Sequence, residues 1–102
     1  MTELEQLRQR IDALDRQLLP LFLKRMDTCS KVADYKREAG LPVLDAEREK
    51  RVLEDKMALL SENNRDQAAE VYEFFSAVMA ISRVRQTREI TGQSQRLRVE
   101  QM

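Results

Sequence analysis

Residues 4–37 read LEQLRQRIDALDRQLLPLFLKRMDTCSKVADYKR, and this stretch decides the fold. Leu4, Leu7, Ile11, Leu14, Leu18 and Leu21 recur in alternating steps of three and four. That is one stripe of an α-helix, with the 3.5-residue mean period of a helix packed along another helix. The stripe breaks at Arg25 and Thr28 and resumes at Val32 and Tyr35. An arginine inside an apolar stripe needs a reason to sit there.

The first helix is expected from about Thr2 to Glu38. Thr2 followed three residues later by Glu5 makes a capping box. Gly40 and then Pro42 stop the helix, since glycine accepts the left-handed position and proline cannot continue it. Pro20 interrupts the pattern and costs roughly 3 kcal/mol of helix stability. The stripe keeps its phase from Leu14 through Leu21, so one kinked helix is expected rather than two. Such a helix is about 35 residues and roughly 50 Å long. A compact domain of this size has a radius of gyration of only about 13 Å. The helix therefore overhangs any core its own chain can build, and a partner chain is the simplest remedy.

Outward from that stretch, AGLPVLD at 39–45 is a connection, and Asp45 is a good N-cap for a second helix running to about Leu60. SENNRD at 61–66 reads as a polar turn. A third helix starts near Asn64 or Asp66 and runs to about Ile90, with Val71, Phe74, Phe75, Val78, Met79, Ile81 and Val84 among its apolar positions. Residues 91–102 lose the pattern and read as a disordered tail or linker, leaving 1–90 as the domain. The expected class is all-α: three helices, long-short-medium.

Composition agrees. The 102 residues contain two glycines, two prolines, one cysteine and no histidine, and strong helix formers dominate. Eighteen basic residues balance eighteen acidic ones, so no bulk field draws the chain to nucleic acid or to an acidic membrane. Any anion site must be local. One cysteine and no histidine exclude an internal disulfide and a Cys/His metal site. No cofactor or metal is expected. MTELEQLRQR has no apolar core of a secretory signal, and no run approaches a membrane span, so the expected compartment is the cytoplasm.

Several polar residues do not fit a plain bundle. Arg25 and Lys36 are 11 residues apart, which puts them about 20° apart around a helix and roughly 16 Å apart along it. Either they converge on one small anion between them, or they snorkel past the core as flank charges. Ser82 and Gln86 form an i, i+4 pair on one face of the third helix. They either reach a common ligand or make an interhelical hydrogen bond. Asp45, Arg48 and Glu49 lie in the first turns of the second helix, where capping and the helix dipole explain Asp45 better than Arg48. Arg8 is 17 residues before Arg25, about 25 Å along the helix. It cannot share a small ligand with its own Arg25, but could share one with Arg25 of an antiparallel partner helix.

Taken together, Arg8, Arg25, Lys36, Asp45, Arg48, Glu49, Ser82 and Gln86 resemble the active-site set of the all-helical (type II) chorismate mutases. The strings LRQRIDALDRQLL at 7–19, KRMDTCSKVADYKR at 24–37, VLDAEREKRVLE at 43–54 and ISRVRQ at 81–86 are similar to that family as well. The resemblance covers about residues 4–90. No single piece of it is specific, but eight positions at the family's spacing are specific together. It implies an intertwined homodimer of three-helix chains with the long helices antiparallel, and the Claisen rearrangement of chorismate to prephenate on the route to phenylalanine and tyrosine. It implies that Arg8 of the partner and Arg25 bind the two carboxylates, helped by Ser82. Lys36 and Gln86 would donate to the ether oxygen, Glu49 and the Asp45 backbone would hold the ring hydroxyl, and Arg48 would order the site. Pro20 and the tail after Ile90 depart from the family pattern. The alternatives are an isochorismate pyruvate lyase of the same fold, or a non-catalytic helical dimerisation module.

Overall fold

The computed structural model describes residues 1–101, with side chains described through Gly92. Its elements among these residues are α1 (Glu3–Ala39), α2 (Ala46–Ala58), a 3₁₀ segment (Glu62–Gln67) and α3 (Ala68–Gln101), with no strand. The third helix, expected to end near Ile90, instead continues to Gln101, so the backbone of the expected tail or linker is helical through residue 101, while its side chains from residue 93 onward lie outside the described residues.

Local chemistry sets the ends of α1. The Thr2 hydroxyl accepts from Glu5 N at 3.1 Å and the Glu5 carboxylate accepts from Thr2 N at 3.4 Å. Two of the four N–H groups that the first turn leaves unpaired are satisfied in this way. At the other end Gly40 has φ +68°, a conformation that costs an L-residue, and its N–H bonds to Arg37 O. Leu41 N closes the turn onto Lys36 O at 2.8 Å. The helix runs through Pro20 without ending. Asp45 caps α2 by accepting from Arg48 N at 3.0 Å. The stretch expected as a polar turn, SENNRD, is instead drawn into the 3₁₀ segment. Asn64 N bonds to Ser61 O at 3.0 Å and the Ser61 hydroxyl donates to Asn64 Oδ1 at 2.7 Å. These i, i+3 bonds tighten the chain into a 3₁₀ turn before the wider α-helical turn begins at Ala68.

α3 is the shared neighbour: α1 and α2 both pack against it. Ala33 of α1, Val52 of α2, and Val78 and Met79 of α3 form the buried apolar seam. Phe74 and Phe75 stack edge to face at 5.1 Å, and Lys56 Nζ of α2 lies 5.4 Å from the Phe75 ring, adding a cation–π contact between α2 and α3. On the α1 side, Arg85 Nε donates to the Ser30 hydroxyl at 3.0 Å, and that hydroxyl lies 3.3 Å from Glu89 Oε1.

The chain is elongated, 60 × 35 × 15 Å, with a radius of gyration of 18.3 Å. The overhang expected from the length of α1 is present. Along its N-terminal half the six residues of the stripe, Leu4 to Leu21, are each 44–63% exposed. None of the described helices is long and apolar enough to cross a membrane.

Candidate active site

The C-terminal half of α1, the 39–45 connection, the start of α2 and the middle of α3 enclose a cleft of about 430 Å³. Seven of the eight residues singled out from the sequence line it: Arg25 and Lys36 from α1, Asp45, Arg48 and Glu49 from the start of α2, and Ser82 and Gln86 from α3. Val32, Val43, Val52 and Met79 supply apolar wall. The eighth, Arg8, lies on the exposed half of α1 and is not part of the lining.

Ser82 and Gln86 are only 5% and 7% exposed. Burial at that level requires hydrogen-bond partners, and both have them. The Ser82 hydroxyl donates to Val78 O at 2.8 Å and accepts from Arg25 Nη1. Its proton is therefore used within α3, and its lone pair orients the Arg25 guanidinium from across the cleft. Arg25 Nη1 also lies 3.8 Å from Cys29 Sγ, one turn along α1, a weak contact that completes the collar around the arginine.

Lys36 Nζ donates to Gln86 Oε1 at 2.9 Å and to the Val43 carbonyl at 2.6 Å. An ammonium has three N–H donors, so these two bonds lock the head of the side chain and leave one donor for a ligand. The same contact defines Gln86: with its oxygen turned to Lys36, the carboxamide NH₂ is the end that can donate to a bound group. A charged donor and a neutral donor thus sit side by side, from helices 50 residues apart in sequence.

At the start of α2, the Asp45 carboxylate is committed to its cap on Arg48 N, and the Asp45 carbonyl accepts from Glu49 N at 3.1 Å. The Glu49 carboxylate accepts from Arg83 Nη1 of α3, and Arg83 also lines the cleft. Sequence reasoning did not single out Arg83. Its only local signal is that it lies three residues before Gln86, one turn away on the same side of α3. The Val43 carbonyl that anchors Lys36 carries no sequence signal at all. No side-chain nitrogen or oxygen among the described residues is buried without a partner.

Such a cleft can hold a small multivalent anion. Its forked guanidinium matches a carboxylate, and its paired Lys36 and Gln86 donors match an oxygen that gains negative charge.

Comparison with known proteins points to one group. The family model described as chorismate mutase type II matches residues 7–87. The chain is 34% identical over 65 residues to a protein named chorismate mutase from Methanocaldococcus jannaschii, covering 64% of this chain and 66% of that one. It is 47% identical over 49 residues to the T-protein of Haemophilus influenzae, covering 48% of this chain but 13% of the relative. It is 34% identical over 62 residues to a bifunctional chorismate mutase/prephenate dehydratase of Aquifex aeolicus, covering 61% of this chain and 17% of that protein. The match thus spans a small part of the two longer relatives and about two thirds of the archaeal one.

Proposed function

We propose a function from one premise: this chain belongs to the type II chorismate mutase family. The activity is the rearrangement of chorismate to prephenate, and the catalytic unit is residues 1–90. The observation that carries this reading is the convergence of seven residues, from three helices and a loop, on one cationic cleft.

A pericyclic rearrangement needs no nucleophile and no proton transfer. It needs a flexible dianion held in a compact, chair-like shape, which is a task of orientation. Arg25, steadied by Ser82, binds one carboxylate. The C–O bond breaks ahead of C–C bond formation, so negative charge grows on the ether oxygen. The third donor of Lys36 and the carboxamide NH₂ of Gln86 meet that oxygen, and both interactions strengthen toward the transition state. Glu49 accepts from the ring hydroxyl, the Asp45 backbone helps to hold it, and Arg48 orders the cleft and its carboxylate contacts.

The second carboxylate is met by Arg8 of a partner chain. The support is the stripe on the N-terminal half of α1: six large apolar side chains that their own chain leaves about half exposed. An antiparallel copy of α1 covers the stripe and brings the partner's Arg8 toward the cleft, giving a homodimer with two shared sites. The enzyme works in the cytoplasm.

The test is loss of chorismate absorbance by the purified chain, with prephenate identified as the product. Gln86 carries no titratable group, so kcat should be flat between pH 6 and 8. A well-folded dimer that leaves chorismate untouched overturns the reading, and isochorismate would then be tried as the substrate of a lyase.

A further inference from the structure

We infer that Arg83 is a positioning residue of this site: it offsets the charge of Glu49 so that a carboxylate can serve beside a dianionic substrate. The inference rests on the function proposed above and deepens it at the ring-hydroxyl end of the cleft.

A hydroxyl group is best held by a strong acceptor, and a carboxylate is the strongest that a side chain offers. The same carboxylate repels a dianion, and the repulsion grows as the cleft excludes water. Glu49 faces this conflict. Its side chain is 25% exposed, it lines the cleft, and it takes a charge-assisted hydrogen bond from Arg83 Nη1. A single such bond leaves the rest of the carboxylate's acceptor capacity for the ring hydroxyl, while the pair as a whole is neutral.

The pair differs in kind from its neighbours. Arg37–Asp34, Lys50–Glu54 and Arg85–Glu89 each lie within one helix, three or four residues apart. Arg83–Glu49 joins α3 to α2 across 34 residues of sequence. It also sets the charge of the cleft. Within one chain, Arg25, Lys36, Arg48 and Arg83 face Asp45 and Glu49, a net charge of two positive, to which the partner's Arg8 proposed above adds a third. Removing Arg83 takes one positive charge from that sum at the end where Glu49 stands.

The experiment is steady-state kinetics on chorismate for the wild-type chain, Arg83→Met, Arg83→Lys, Glu49→Gln and the double variant Arg83→Met/Glu49→Gln, with melting temperatures for each. Arg83→Met should raise KM about tenfold and leave kcat within about threefold, because repulsion acts on the bound substrate and the transition state alike. Arg83→Lys keeps the charge and should stay within about threefold of wild-type KM. In the double variant the neutral amide needs no counter-charge, so KM should return to within about twofold of Glu49→Gln alone.

Three results overturn the inference while leaving the mutase reading intact. They are an unchanged KM in Arg83→Met, a fall in kcat and melting temperature with no change in KM (a mere tie between helices), or a tenfold KM penalty that persists in the double variant. No turnover by the wild-type chain overturns both readings.

Discussion

The two halves of α1 obey the same helical rules and meet different fates. From Leu4 to Leu21 the helix carries the more regular apolar stripe, yet those side chains stay 44–63% exposed. From Arg25 to Lys36 the stripe is broken by charge, yet this half packs on α3, buries Ala33 completely and lines the cleft. Regular amphipathicity says which face needs cover, but not which chain supplies it. In the broken half, the charges mark where a cleft replaces a core.

The largest expected effect tests the broken half. Lys36→Ala removes a donor already locked by Val43 O and Gln86, and should lower kcat about 10²- to 10³-fold with helicity by circular dichroism unchanged. A loss below about threefold would make Lys36 an ordinary flank charge.

The next effect tests the regular half. Ile11→Asp sets a charge in the middle of the exposed stripe. Sedimentation should show the dimer lost at micromolar concentration, and turnover should be lost with it. A dimer of undiminished stability would mean the stripe is not the dimer contact.

A subtler experiment joins the halves. If the partner's Arg8 completes each cleft, Arg8→Ala and Lys36→Ala chains are each nearly inactive. Unfolding and refolding them together in equal amounts gives mixed dimers with one intact site, and about a quarter of wild-type activity should return. No recovery despite mixed dimers, seen by native mass spectrometry, would put Arg8 outside the site.

The smallest effect is on stability. Pro20 removes one backbone hydrogen bond from α1, so Pro20→Ala should stabilise the folded state by about 2 kcal/mol, the loss of chain stiffness in the unfolded state offsetting up to about 1 kcal/mol of the roughly 3 kcal/mol gain. Chemical denaturation would measure it, and a destabilised variant would mean that the proline's shape matters to the packing of the helix.

Much of this fold was legible beforehand. The capping box at Thr2 and Glu5, the stop at Gly40, the cap at Asp45 and the passage through Pro20 all follow from interactions within three or four residues. The 3₁₀ segment was missed because a polar turn and a 3₁₀ turn share the same Ser and Asn chemistry. For the cleft, spacing left each polar group open between a ligand site and an ordinary role as flank charge, interhelical hydrogen bond or helix cap. The resemblance to a family, not periodicity, brought eight residues into one set. Arg83 escaped even that, because an arginine beside other arginines on a helix looks like solvated charge until its partner is seen.

The sequence by itself determined the three helices, both ends of α1, the cap of α2, the class of fold and the apolar face of α1, but not the extent of α3, which begins at Ala68 and runs on to Gln101. The features it determined are properties of neighbours along the chain, where backbone geometry fixes distances in advance. Only the tertiary structure decided how the polar groups spend their bonds: the Ser82 proton on Val78 and its lone pair on Arg25, the Lys36 head between Val43 and Gln86, and Glu49 shared with Arg83. Those partners stand up to 57 residues apart in sequence. Their meeting depends on how α3 lies across α1 and α2, which is settled by burial of the whole seam and not by any local rule.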